Sequence, residues 1–199
     1  MSIDKLPATG AMGERLMVRT FWCVALFCLG FFPAYGHCEQ PARVTACQLL
    51  AEPERYDHAL VEVSGDVSHG FEDFTIDSHR CANSSLSTGL WLEYGGTRAS
   101  GTMYCCGVTA DRTRSEPLTV DGVVTGLRDD SIFRDFDQII HNKPYAQARA
   151  TLVGRFFAGK PQKSWGGKWA GYGHFGMFTL LVIEQVLSVA PLPDLVARS

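Results

Sequence analysis

Polar and apolar residues alternate along residues 60–67. Val61, Val63 and Val67 fall on one face around Gly65, while Glu62, Ser64 and Asp66 fall on the other. That period of two is the signature of a half-buried strand. The rhythm returns after His69 and Gly70, where Phe74 and Ile76 oppose Asp73, Thr75 and Asp77. The two runs predict a hairpin, with Gly70 supplying backbone freedom at the connection. A polar loop over 77–88 carries Cys81 and leads to a third strand at 89–94, which ends at Gly95 and Gly96.

The period then changes. Residues 95–117 are the least periodic part of the chain, and Leu118–Val120 reads as a short strand. Ile132, Phe133, Phe136, Ile139 and Ile140 recur at helical spacing and predict an amphipathic helix over 129–142, started by Asp129 or Asp130 and ended by Asn142 and Pro144. A fourth strand is expected at 148–158 and a fifth at 174–189, joined by a glycine- and tryptophan-rich hairpin loop over 159–173. Near the start, Thr45 and Gln48 form a capping-box pattern ahead of Pro53, so a short helix should plug one end of the sheet. Within it Cys47 shares a side with Leu50 and is expected to be a small buried apolar residue.

Three strands, a helix, then two strands, with Gly65 and Gly154 inside the first and fourth, is the order of an OB barrel. The predicted fold is mainly β: a five-stranded OB-like Greek-key barrel with one helix between strands three and four and a short N-terminal helix. A glycine inside a strand costs stability and usually marks a bulge or a close backbone approach. The runs CQLLAEPERYDHALVEVSGDVSHGFEDFTIDSHRC, GLWLEYGG, ATLVGRFFAGK and GYGHFGMFTLLVIEQV resemble a group of small exported bacterial proteins of unassigned function with an OB-like barrel. The resemblance spans most of residues 44–189. It implies a fold and an exported bacterial location, and it supplies no catalytic residues.

An uninterrupted apolar run, Phe21–Phe32, follows Arg15 and Arg19 and precedes Pro33-Ala34-Tyr35-Gly36. This is the pattern of a signal peptide over residues 1–36, cleaved before His37. The run falls short of the roughly 20 residues a spanning helix needs. Met12 or Met17 is an alternative start, and His37 before Cys38 is wrong for lipoprotein processing. The barrel domain is expected over 37–190 and a flexible tail over 191–199. Export to the periplasm or the medium would place Cys38, Cys47, Cys81, Cys105 and Cys106 where disulfides persist. Adjacent Cys105 and Cys106 do not easily bridge to each other, so Cys81 is expected to pair with one of them.

The whole chain of 199 residues is 46% hydrophobic and 20% charged, with a formal charge of −3. That balance suits a globular domain and argues against a protein that lives on nucleic-acid phosphates. A zinc site could gather His79, Cys81, Cys105 and Cys106, but the spacing fits no standard unit and export favours disulfides, so no metal or cofactor is expected. Glu72 and Asp73 could be paired carboxylates for acid–base work, but adjacent residues on a strand point to opposite faces and cannot share a substrate, so they read as solvent-facing hairpin residues. A secreted nuclease is the obvious enzyme to consider on this barrel, yet its acidic and arginine motifs are missing and Arg155 alone does not replace them.

The aromatic residues Trp91, Tyr94, Phe156, Phe157, Trp165, Trp169 and Tyr172 suggest a stacking surface, half of it core by alternation. Trp165, Lys168, Trp169, Tyr172 and His174 are the predicted ligand-binding residues, on a basic tip that also carries Lys160 and Lys163. The expectation is a non-enzymatic exported module binding a protein, glycan or envelope component. The alternative is a secreted hydrolase or a metal- or thiol-dependent enzyme built on His79, Cys81, Cys105, Cys106 or His174.

Overall fold

The computed structural model describes residues 39–70, 72–76, 81, 89–102, 111–142, 145–160, 162–164, 167–169 and 171–193. The predicted signal peptide, with its cleavage point, and the last residues of the predicted tail lie outside them. A short strand β1 (Ala42–Arg43) precedes helices α1 (Ala46–Ala51) and α2 (Pro53–Tyr56). Then come β2 (Leu60–His69), β3 (Phe74–Ile76) and β4 (Leu90–Tyr94). A small hairpin, β5 (Thr119–Val120) and β6 (Val123–Val124), leads to helix α3 (Ser131–His141) and to β7 (Ala146–Phe157). A second small hairpin, β8 (Gln162–Ser164) and β9 (Gly167–Trp169), precedes the final strand β10 (Thr179–Pro191).

Five strands close a mixed barrel in the order β2-β3-β4-β10-β7, with β7 returning to β2. β2 is antiparallel to β3 and to β7, β10 is antiparallel to β7, and β4 and β10 run parallel from Leu90↔Thr179 to Tyr94↔Ile183. This is the predicted OB-like order, with α3 between the third and fourth barrel strands. Closure gives each of these five strands a hydrogen-bonded neighbour on both sides over part of its length.

The alternation read from the chain sorts the inside of the barrel. Val61, Val63, Val67, Leu90, Leu92, Tyr94, Leu152, Phe156, Leu181 and Ile183 share one core, joined by Phe133, Phe136 and Ile140 of α3 and by Ala46, Leu49 and Leu50 of α1. Asp130 caps α3, accepting from the Phe133 N–H at 3.0 Å. The Thr45 capping box is complete in both directions. Cys47 departs from expectation. The buried stripe of α1 runs through positions 46, 49 and 50, and Cys47 lies to its side, exposed.

The outer face of β4, β7 and β10 is covered as well. Trp91, Phe157, Leu180 and Val182 pack there against Leu118 and Val120 from the β5–β6 region. Trp91, Tyr94, Phe156 and Phe157 are therefore all fully buried, and none belongs to an open stacking surface. The fourth and fifth strands also shift against expectation: β7 starts at Ala146, and β10 starts at Thr179 rather than at His174 and pairs through Pro191. Gly154 sits where β7 crosses β10, and a Cβ there would lie 2.3 Å from the Val182 carbonyl oxygen. One residue further along β10 the register shifts between Ile183 and Gln185. The glycine thus marks a close backbone approach beside a bulge.

Candidate functional site

The β2–β3 turn and the β7–β10 connection come together around a pocket of about 390 Å³ lined by Glu72, Asp73, Tyr145, His174 and Phe178. The connection after β2 is closed by the Gly70 N–H donating to the Asp73 carbonyl at 2.8 Å. A Cβ on Gly70 would lie 2.0 Å from Asp73 Oδ1 and 3.2 Å from Tyr145 Cε1, so a larger residue would displace the carboxylate and crowd the ring. Because Glu72 and Asp73 belong to a turn, strand alternation does not separate them. Both line the same pocket, contrary to the reading that set them on opposite faces.

The opposite wall is a tight loop. Gly171 donates to the Gly176 carbonyl at 2.8 Å, and Tyr172 and Phe178 exchange backbone hydrogen bonds of 3.2 and 3.1 Å. Gly173 has φ of 66°, and a Cβ there would lie 2.5 Å from Trp91 Cε3, so the backbone rests directly on the indole. The Phe178 ring meets the same indole edge-on at 5.1 Å. This anchoring delivers His174 at the start of a 3-10 turn, with its Nδ1 3.7 Å from Glu72 Oε2 across the pocket. Tyr145 and Phe175 are 73% and 75% exposed, and both hold positive φ, 58° and 55°. Large aromatic residues rarely adopt that conformation without support from the surrounding chain.

Of the five predicted ligand-binding residues, His174 lines this pocket. Tyr172 does not: its ring packs by Phe157 and its hydroxyl donates to Asp121 at 2.7 Å. Lys168 and Trp169 lie in β9, opposite Lys163 and Gln162, in the same connection that carries His174. Trp165 lies outside the described residues. Glu72, Asp73 and Tyr145 were not singled out as ligand-binding residues. Two consecutive acids two residues after Gly70 are the signal that could have pointed to the turn.

Cys81 is disulfide-bonded, and its partner is Cys47 of α1 rather than Cys105 or Cys106, which lie outside the described residues. The bond takes Cys81 out of the conceivable zinc set, whose remaining members, His79, Cys105 and Cys106, are also undescribed. Among the described residues no group of three or more His, Cys, Asp or Glu is placed to hold a metal. Among them too, no helix is long and apolar enough to cross a membrane. Arg155 is engaged by Glu39 at 2.9 Å, by Glu184 at 3.4 Å and by the His58 carbonyl at 2.9 Å, so it serves the fold rather than a phosphate.

A second polar cluster joins β2, β4, α3 and the segment after β4. Glu93 is completely buried, ion-paired to Arg114 at 2.9 Å, and accepts from the Tyr94 N–H, the Ser100 N–H and the Ser100 hydroxyl at 2.7–2.8 Å. Burial pushes its carboxyl up, against the pull of these donors and of Arg114. The Ser100 hydroxyl also reaches Thr102, whose Oγ1 lies 3.2 Å from His69 Nε2. Asp137 pairs with Arg112 and with His141, and the fully buried Tyr94 hydroxyl approaches it without closing a regular hydrogen bond. These groups bond chiefly to one another, which makes the cluster a clamp between the barrel and its covering segments.

No protein-family model matches the chain, and no curated protein or solved structure matches it either.

Proposed function

We propose that this chain is an exported, non-enzymatic OB-barrel binding module whose ligand enters the pocket between the β2–β3 turn and the β7–β10 connection. The observation that carries the reading is the origin of the pocket walls. In OB barrels the loops between strands one and two and between strands four and five are the ones that bind ligands, and here those two loops supply Glu72, Asp73, His174 and Phe178. The pocket is of the size small-ligand sites take, roughly 300–1,000 Å³. The β8–β9 hairpin, with Lys168 and Trp169, belongs to the second of these loops. Two carboxylates at the mouth and a net charge of −3 disfavour a phosphate backbone and leave a protein, a glycan or an envelope component as the partner. Export is read from the apolar run at Phe21–Phe32 behind Arg15 and Arg19.

The site is tested by mapping amide chemical shifts on the purified protein against a panel of neutral oligosaccharides, amines, short peptides and single-stranded DNA. Shifts gathered at residues 72–76 and 171–178 are expected for the true ligand class. Binding that perturbs only other parts of the barrel would overturn the site. Intact mass of protein recovered from a bacterial periplasm tests export, with loss of residues 1–36 and one or two disulfides, Cys47–Cys81 among them, as the expected result.

A further inference from the structure

We infer that the pocket binds a neutral sugar, with a C–H face of its ring against an aromatic side chain and its hydroxyls bonded to Glu72 and Asp73. The inference rests on the site reading above and adds the class of ligand. Charge in the lining is already answered within the protein: Glu72 Oε2 faces His174 Nδ1 across the pocket at 3.7 Å, and Asp73 is engaged as well. The carboxylates therefore call for no counter-ion. They remain acceptors, because a carboxylate offers about four lone-pair sites and one neighbour does not fill them. The Glu72 side chain is 45% exposed, so part of it still faces solvent.

The rings are placed by the strands that follow them. Tyr145 directly precedes β7, whose first residue, Ala146, pairs with His69 at the end of β2, and Gly70 comes next on that strand's exit. Asp73 Oδ1 and Tyr145 Cε1 accordingly both lie within 3.2 Å of one point, where a Cβ on Gly70 would stand. An oxygen acceptor is thus set beside the edge of a ring that is itself exposed. Phe178 directly precedes β10 and is held edge-on to Trp91. Rings fixed in this way lose little freedom when a ligand stacks on them.

A sugar is the ligand whose surface divides in the same manner. Its ring presents polarised C–H groups, which the electron-rich face of an aromatic ring attracts, and hydroxyls at its edge that donate to carboxylates. An apolar ligand would strip water from Glu72 and Asp73 and return no hydrogen bond. An anion meets like charge, and a cation finds the carboxylates engaged.

The purified protein is titrated, with amide chemical shifts as the readout, against glucose, N-acetylglucosamine and the trisaccharides maltotriose, cellotriose and chitotriose. Spermidine and a neutral tripeptide probe other chemistry. At least one sugar is expected to shift residues 72–74, 145 and 174–178. A trisaccharide that binds more tightly than its monosaccharide assigns a glycan chain; binding no tighter assigns a free sugar. Tyr145→Asn removes the ring yet keeps a residue that tolerates the positive φ, and should weaken sugar binding about tenfold. Tyr145→Phe should bind as the wild type does, and Glu72→Ala, at an exposed position, should bind about fivefold more weakly, with folded amide spectra throughout. If spermidine or the tripeptide shifts these residues and no sugar does, the sugar inference is wrong and the site stands. If Tyr145→Asn binds sugar as tightly as the wild type, the stacking is absent and the inference falls. If every probe leaves these residues unmoved, the site falls with it.

Discussion

His69, at the end of β2, and His141, in the last turn of α3, lie with ring centroids 4.4 Å apart and planes tilted by 54°. The two rings have opposite surroundings. Both nitrogens of His141 face acceptors: Nδ1 the Asp137 carbonyl at 2.9 Å and its carboxylate at 3.2 Å, Nε2 the Ser100 carbonyl at 2.8 Å. His69 meets the Thr102 hydroxyl and the edge of Phe74. Burial, followed by the charges of His141 and Arg112, pushes the His69 pKa down to about 4.

This geometry makes the barrel acid-sensitive in two stages. His69 titrates near 6.5 when unfolded and near 4 when folded, so the unfolded chain binds the proton first. Its contribution is complete above pH 6.5 and is lost as pH falls through 4. That loss is on the order of 2 kcal/mol once screening of a partly exposed ring is allowed for. For Asp137, burial acts to raise the pKa, but the His141 hydrogen bond, Arg112 and the Tyr94 hydroxyl prevail and hold it down to about 2. Its contribution is present above pH 3.8 and is lost as pH falls through 2. Urea unfolding as a function of pH should show both stages in the wild type, and His69→Gln should flatten only the upper one. An unchanged slope between pH 6.5 and 4 in that variant would refute the assignment.

The Glu93–Arg114 pair should behave as a buried ion pair whose loss is asymmetric. Arg114→Ala leaves a completely buried carboxylate without its counter-ion and removes a donor to the carbonyls of Tyr94, at 2.9 Å, and Gly96, at 3.3 Å. The expected loss is about 3–5 kcal/mol. Glu93→Gln with Arg114→Met removes both charges and should be milder than the sum of the single changes. A double-mutant cycle by chemical denaturation reads the coupling, and strict additivity would show that the two side chains act independently.

The Cys47–Cys81 bond links positions 34 residues apart, tying α1 to the chain after β3. In the chain-entropy account a loop of that length stabilises by about 4 kcal/mol. Cys47→Ser, Cys81→Ser and the double variant should therefore lose similar stability, and added reductant should lower the melting temperature of the wild type alone. A variant pair that melts like the oxidised wild type would mean that the bond constrains little in the unfolded chain.

The periodicity of the chain by itself determined the five barrel strands, the helix between the third and fourth, and the Thr45 and α3 start signals, because these depend on residues two to four positions apart. Gly154 was legible for the same reason: a glycine in an apolar strand has few explanations, and a 2.3 Å approach to the Val182 carbonyl oxygen is one of them. Tertiary structure decided what depends on distant parts of the chain. Leu118 and Val120 of the β5–β6 region cover Trp91, while Ser100 and Arg114 close over Glu93, so both residues, which alternation would turn toward solvent, are buried. Cys81 bonds across to Cys47 of α1, a pairing between segments 34 residues apart that no local pattern encodes. Likewise, the β2–β3 turn releases Glu72 and Asp73 from strand alternation, and only closure of the barrel brings the loop carrying His174 against them. Local spacing sets which face a residue occupies; what that face meets is set by strand pairing between segments as far apart as β2 and β10.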